Sequence, residues 1–105
     1  MKQLRREYLG DSSQRVEELR GLKAHLARDQ RTALADLRQA FHRLAGSGGS
    51  YGYPDVSARS REGEQLAVRL AAADTPLSPA DVAAIDRCIE GVALAFAEAR
   101  KATSP

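Results

Sequence analysis

The chain has 105 residues, of which 43% are apolar, enough to form one compact domain but too few for two. Its 16 basic and 14 acidic residues leave a formal net charge of +2, so overall charge indicates neither a nucleic-acid nor a membrane partner. The single cysteine, Cys88, excludes an internal disulfide framework and any multi-thiolate zinc or iron–sulfur site, and it suits a reducing compartment.

Composition and hydropathy favour a helical protein without a membrane span. Alanine and leucine dominate, whereas aromatic residues make up only 5% of the chain and β-branched residues are scarce, a balance that favours helices over strands. The first residues are charged, and no apolar run is long enough for a signal peptide or a transmembrane helix. We therefore expect an all-α protein in the cytoplasm.

Capping and turn residues divide the first part of the chain into two helices. The first, Met1 to Leu9, is short. Asp11 and Gln14 have the spacing of a capping box that would begin the first long helix, which we expect to reach about Arg28. The apolar residues of this long helix share one face: Val16, Leu19, Leu22 and Leu26.

The second long helix has the clearest periodicity in the chain. Its apolar positions alternate at spacings of three and four residues: Leu34, Leu37, Phe41, Leu44, Gly48 and Tyr51. Such spacing is typical of a helix that faces the core of a bundle.

Two further long helices complete the predicted fold. Pro54 suits the first turn of the third, which should end near Ala73, and Ser78 can cap the fourth, with Pro79 at its first position and Asp81 in its first turn. Their inward positions are Val56, Gly63, Leu66 and Leu70 for the third, and Val82, Ile85, Ile89, Val92, Phe96 and Ala99 for the fourth. Short links make consecutive helices antiparallel, so residues 1–105 should form one up-down-up-down four-helix bundle with a short extra N-terminal helix.

Four glycines cluster at the end of the second long helix: Gly46, Gly48, Gly49 and Gly52. The glycines alone fit equally well with a helix that ends near Ala45 and continues as a flexible loop. Because Gly48 and Tyr51 continue the apolar periodicity, we expect the helix to reach Tyr51. Each glycine inside a helix costs about 1 kcal/mol relative to alanine, which indicates a packing or functional reason for keeping it.

His42 should lie on the exposed side of the same helix. At about 100° per residue, the apolar face is centred about 130° away from it. Helical side chains lean toward the N-terminus, so the residues that would cover its ring are Ala45, Gly46 and Gly49, all of them small. This pattern predicts a reactive imidazole that is presented to a partner protein.

The segment Ala40 to Pro54 has the sequence AFHRLAGSGGSYGYP. It resembles the motif of histidine phosphotransfer (HPt) domains, four-helix bundles whose exposed histidine accepts and donates a phosphoryl group. The strong resemblance covers about residues 38 to 66. It implies that His42 is the phosphorylated histidine, that Gly46 admits the partner, and that Glu64 on the facing helix orients the imidazole by a hydrogen bond.

The chain departs from the HPt pattern at Ala45, where many relatives carry a lysine that helps to stabilise phosphate. Arg38 and Arg43 are the nearest candidates to supply that charge, and with Arg59 and Arg61 they form either a basic rim or a solvated fringe. The predicted partner-binding surface combines Gln39, Ala45, Gly46 and Gly49.

The resemblance implies a stoichiometric phosphoryl carrier, not an enzyme, with a response-regulator receiver domain and a sensor or hybrid histidine kinase as partners. We expect a monomer with no nucleic-acid or membrane partner and no cofactor or metal of its own. Mg²⁺ would come with the receiver, since no carboxylate cluster lies near His42 in the sequence. The alternative is a non-phosphorylated helical adaptor that docks a receiver or kinase, a hypothesis that the missing lysine leaves open.

Other conspicuous residues favour ordinary structural roles. His25 lacks a glycine neighbourhood and should be a surface residue. The glycine-rich stretch has neither a following Lys-Ser or Lys-Thr nor a preceding strand, which argues against a nucleotide-binding loop. Cys88 is expected to be a small buried residue, and Gly63 a point of close contact between helices.

Overall fold

The computed structural model describes the backbone of residues 2–103 and the side chains of residues 6–102. It contains five α-helices: α1 (Lys2–Gly10), α2 (Ser12–Ala24), α3 (Gln30–Ser50), α4 (Pro54–Ala73) and α5 (Pro79–Thr103). The predicted all-helical architecture of four long helices and one short N-terminal helix is confirmed. Met1, the predicted start of the short helix, lies outside the described residues. No described helix is both long and apolar enough to cross a membrane.

The four long helices form a closed ring of antiparallel neighbours. Helix α3 packs against α2 and α4, while α5 packs against α4 and α2, and α1 contacts α2 and α5. The predicted apolar faces converge in the centre, where the largest fully buried apolar side chains are Phe41, Phe96, Leu19, Leu34, Leu37, Ile89, Val56 and Val92. Each such side chain contributes about 1.5–3 kcal/mol through its burial, so these faces determine how the helices are oriented.

The predicted capping box at Asp11 is wrong. Asp11 has helical dihedral angles (φ −87°, ψ 0°), and its side chain makes no cap hydrogen bond. Its backbone N–H already donates to the Glu7 carbonyl at 3.1 Å, so α1 runs almost directly into α2 with no exposed helix start to cap. By contrast, the predicted start of α5 is confirmed, because the Asp81 N–H donates to Ser78 Oγ and the Ser78 N–H donates to Asp81 Oδ2.

The first long helix ends earlier than predicted, at Ala24 instead of about Arg28. Leu26 remains buried, so apolar periodicity extends beyond the helix itself. After Ala24 the chain forms a tighter turn, in which the His25 N–H donates to the Leu22 carbonyl and the Leu26 N–H to the Lys23 carbonyl. Asp29 then adopts an extended φ of −150° and caps α3 by accepting a hydrogen bond from the Thr32 N–H. A residue in this conformation cannot continue the preceding helix.

Helix α3 continues through the glycine cluster to Ser50, so the prediction of a long helix is confirmed and the flexible loop is excluded. Gly48 is needed for packing, because a Cβ there would lie 3.0 Å from both the Ser57 backbone nitrogen and Val56 Cγ1. Gly52 then turns the chain with φ +85°, a conformation that favours glycine.

An aromatic cluster supports this glycine-rich end of α3. The Tyr8 ring of α1 stacks on the Tyr51 ring with centroids 4.5 Å apart, and the hydroxyls of Tyr8 and Ser47 are hydrogen-bonded at 2.8 Å. These contacts stabilise a segment whose glycines have low helix propensity. Helix α1 thus holds the last turns of α3 in place.

Close contact between α3 and α4 depends on Gly63, as predicted. The Phe41 ring of α3 lies directly over it, and a Cβ at Gly63 would come within 2.5 Å of Phe41 Cε1. Phe41 is only 1% exposed, and in a close-packed core its ring can shift only by displacing its neighbours. A side chain at Gly63 would therefore displace this ring or force the two helices apart.

We predict that Gly63→Ala lowers the free energy of unfolding by about 1–3 kcal/mol, the usual cost of overpacking a core. The matched control is Gly21→Ala on α2, where a Cβ would meet no atom within 4 Å, and there the better helix propensity of alanine should raise stability by about 0.5–1 kcal/mol. Urea unfolding of both variants measures the difference. Equal effects at the two sites would show that Gly63 does not set the helix spacing.

Candidate functional site

His42 lies on the exposed side of α3, with 70% of its side chain accessible to solvent. Its neighbours Phe41 and Leu44 are buried in the bundle, so the helix places the imidazole on the face away from the core. An exposed ring contributes little to folding and is free to meet another molecule.

Glu64 of α4 holds one nitrogen of this ring. His42 Nδ1 and Glu64 Oε2 are 2.8 Å apart, and Glu64 is partly shielded, with 23% of its side chain exposed. A carboxylate can only accept a hydrogen bond, so Nδ1 is the nitrogen that carries the proton. In the neutral ring, Nε2 then keeps its lone pair and is available to react.

A shallow depression between α3 and α4 surrounds the ring. We call it the α3–α4 depression, and it is lined by His42, Ala45, Gly46, Arg61, Glu64 and Gln65. A Cβ at Gly46 would meet no atom within 4 Å, so folding does not require glycine at this position. The absence of a side chain at Gly46 leaves the space beside the imidazole open.

The predicted partner-binding residues do not all lie on one exposed surface. Gln39, Gly46 and Gly49 are exposed. Ala45 is only 6% exposed, because it lies on the side of α3 that packs against α4, where Ser57 Oγ donates a 2.8 Å hydrogen bond to its carbonyl. Ala45 therefore forms the floor of the depression, which corrects its predicted place on the exposed face.

The four arginines of the predicted basic rim have different surroundings. Arg43 donates a 3.0 Å hydrogen bond to Glu18 of α2, and the aliphatic part of Arg59 lies against Gly91 of α5. Arg38 is exposed but does not line the depression. Arg61 is the arginine that lines it, so these four residues do not form a continuous rim around His42.

The place of Arg61 in the depression could have been predicted from the sequence. Arg61 comes one helical turn before Glu64, and two residues at that spacing share a helix face. The spacing therefore predicts that Arg61 lies on the same side of α4 as Glu64. The ion pair between Arg43 and Glu18 could not be predicted in this way, because Glu18 lies on another helix.

The remaining candidates stay apart from the site. His25 is exposed in the turn after α2. Cys88 on α5 is half-buried, and burial raises the pKa of its thiol, which makes it a poor nucleophile near neutral pH.

Comparison with known proteins agrees with this geometry. The family model described as "Hpt domain" matches residues 3–95. No curated protein and no solved structure matched the chain. Hpt domains are phosphoryl carriers, not catalytic enzymes, and they interact with receiver domains and kinases in phosphorelays. With the family model covering most of its length, the chain belongs to the Hpt domain family.

Proposed function

We propose that this protein accepts a phosphoryl group on Nε2 of His42 and exchanges it with the aspartate of a receiver domain. The observation that carries the proposal is the exposed imidazole whose Nδ1 is held by Glu64 at 2.8 Å. This contact occupies Nδ1 and leaves Nε2 as the reactive nitrogen. An adaptor without chemistry would need neither feature.

The transfer needs no external proton donor or acceptor. The Nε2 lone pair attacks the phosphorus of the aspartyl phosphate, and the Nε2–P bond forms as the bond between phosphorus and the aspartate oxygen breaks. The electron pair of that bond leaves on the aspartate as a carboxylate. The His42 ring keeps its Nδ1 proton and becomes positively charged, and the reverse reaction returns the phosphoryl group by the same steps.

Glu64 acts as a positioning residue in this proposal. Its carboxylate fixes the tautomer and the orientation of the ring, and it lies next to the positive charge that develops there during attack. Its partial shielding from solvent strengthens the interaction relative to a fully exposed ion pair.

Gly46 provides access in this proposal. A receiver must bring its phosphorylated aspartate to within bonding distance of Nε2, so its backbone must approach α3 closely. The open space at Gly46 permits that approach. We further propose that the receiver supplies the Mg²⁺, and that residues 1–105 act in the cytoplasm as one monomeric domain, with a sensor or hybrid histidine kinase upstream.

We predict that His42→Gln abolishes phosphate acceptance and leaves the helical content and melting temperature nearly unchanged, because the ring lies outside the core. Incubation with phosphorylated receivers, followed by measurement of acid-labile phosphate on this chain, tests the prediction. His25→Gln is the control and should accept phosphate normally. Phosphate on the His42→Gln variant would refute the assignment, and a wild-type protein that binds receivers without accepting phosphate would favour the adaptor.

Glu64→Ala should slow phosphotransfer by about 10- to 100-fold, the range found when the hydrogen-bond partner that orients a metal-binding histidine is removed. Glu64→Gln should be intermediate, because its amide oxygen can still accept the Nδ1 hydrogen bond but carries no charge. Nitrogen-15 NMR of His42 provides a second measurement, since loss of Glu64 should convert one ring tautomer into a mixture. An unchanged tautomer in Glu64→Ala would contradict the positioning role.

Gly46→Leu should block phosphotransfer while raising the melting temperature, because leucine has the higher helix propensity and would cover the imidazole. Gly21→Leu on α2 is the matched control, since both glycines are exposed and have open space at Cβ. The control should be stabilised in the same way and transfer phosphate at the wild-type rate. Normal transfer by Gly46→Leu would show that partners do not approach over this glycine.

A further inference from the structure

Phosphorylation creates an electrostatic problem in the α3–α4 depression. A phosphoryl group on Nε2 would bring two negative charges into a depression that already contains the Glu64 carboxylate, which is bonded to the other nitrogen of the same ring. The ring's own positive charge offsets only part of this. A cation near the oxygens of the phosphoryl group would therefore stabilise both the transition state and the phosphorylated product.

Most of the nearby cations are poorly placed for this role. Arg43 is held by Glu18 on the side of α3 that faces α2, and Arg38 lies outside the depression. Arg61 lines the depression together with His42 and Glu64. Within the part of the chain that the structure describes, no carboxylate lies within ion-pair distance of Arg61.

We propose that Arg61, assisted by the side-chain amide of Gln65, forms the anion site that binds the oxygens of the phosphoryl group on His42. This inference rests on the proposed function of His42. A guanidinium can donate two parallel hydrogen bonds to a phosphoryl group, and the Gln65 amide adds a neutral donor at the edge of the same depression. The site then has Glu64 on the Nδ1 side of the ring and Arg61 on the side of the transferred group.

The two residues are placed by the periodicity of α4. Arg61, Glu64 and Gln65 are one helical turn apart or adjacent, so they share the face that flanks α3 beside His42. On the inner side of the same turn, Gly63 is pressed against Phe41. The close helix contact therefore brings the proposed anion site near the imidazole.

The sharpest test omits the receiver, so that docking cannot affect the result. Phosphoramidate donates its phosphoryl group to the imidazole as the Nε2–P bond forms and the P–N bond of the donor breaks, releasing ammonia. We expect Arg61→Ala to lower the rate of this phosphorylation by about tenfold or more, the equivalent of one charge-assisted hydrogen bond, and to shorten the lifetime of the phosphohistidine. Arg61→Lys should retain part of the rate.

Arg69→Ala is the matched control, because it removes the same charge from α4 at a position that does not line the depression. The phosphorylation rate of Arg69→Ala should stay within about twofold of the wild-type rate. Adding Gln65→Arg to Arg61→Ala should restore part of the rate by returning a guanidinium to the same depression. Equal rates for Arg61→Ala and Arg69→Ala would overturn the proposal, as would a defect of Arg61→Ala that appears only when a receiver is the donor.

A binding measurement separates this inference from the proposed function. Titration of the unphosphorylated protein with inorganic phosphate should shift the NMR signals of Arg61 Nε–H and the Gln65 side-chain amide. The Gln65 shift should disappear in Arg61→Ala but persist in His42→Gln. If wild type bound phosphate in this way but never became phosphorylated on His42, the proposed function would be refuted and the proposed anion site would be supported. If His42 were phosphorylated normally and Arg61→Ala changed neither measurement, only the anion site would fail.

Discussion

The site depends on one steric contact, the packing of the Phe41 ring against the bare backbone of Gly63. His42 follows Phe41 in α3, and Glu64 follows Gly63 in α4, so the contact inside the bundle and the hydrogen bond on its surface belong to the same two helical turns. With no Cβ between the helices, α4 comes close enough for the Glu64 carboxylate to reach Nδ1 at 2.8 Å. Core packing thereby determines the geometry of a group that is itself exposed.

The glycines of this region serve different physical purposes although they are close in sequence. Gly63 leaves room for the Phe41 ring, with which a Cβ would collide, and Gly48 lets α3 lie close to the start of α4, where a Cβ would be only 3.0 Å from the Ser57 backbone nitrogen. Gly52 provides the positive φ of the turn between α3 and α4. Gly46 has no such constraint, so the structure alone would tolerate a larger residue there. An unconstrained glycine beside an exposed imidazole fits best with the approach of another protein.

The charged side chains around His42 have different partners. Glu64 is held beside the ring, while Arg43 is engaged by Glu18 and is drawn away toward α2. The exposed ion pairs elsewhere in the bundle, such as Arg20 with Glu90 between α2 and α5, contribute little stability individually. The proposed chemistry therefore involves a few groups at one pair of helices, and the rest of the bundle keeps those helices in register.

The sequence by itself determined the helical class, the apolar faces, the start of α5 at Ser78 and Pro79, and the outward direction of His42, because these follow from local periodicity and capping chemistry. The resemblance to HPt domains singled out Glu64 correctly as the neighbour of His42. Only the tertiary structure decided that Asp11 caps nothing, that Ala45 is buried, and that Arg61 instead of Arg43 lines the depression. These outcomes depend on contacts between residues far apart in the chain. The position of a long arginine side chain in particular depends on which carboxylate of another helix is close enough to form an ion pair with it. Periodicity along one helix carries no information about that carboxylate.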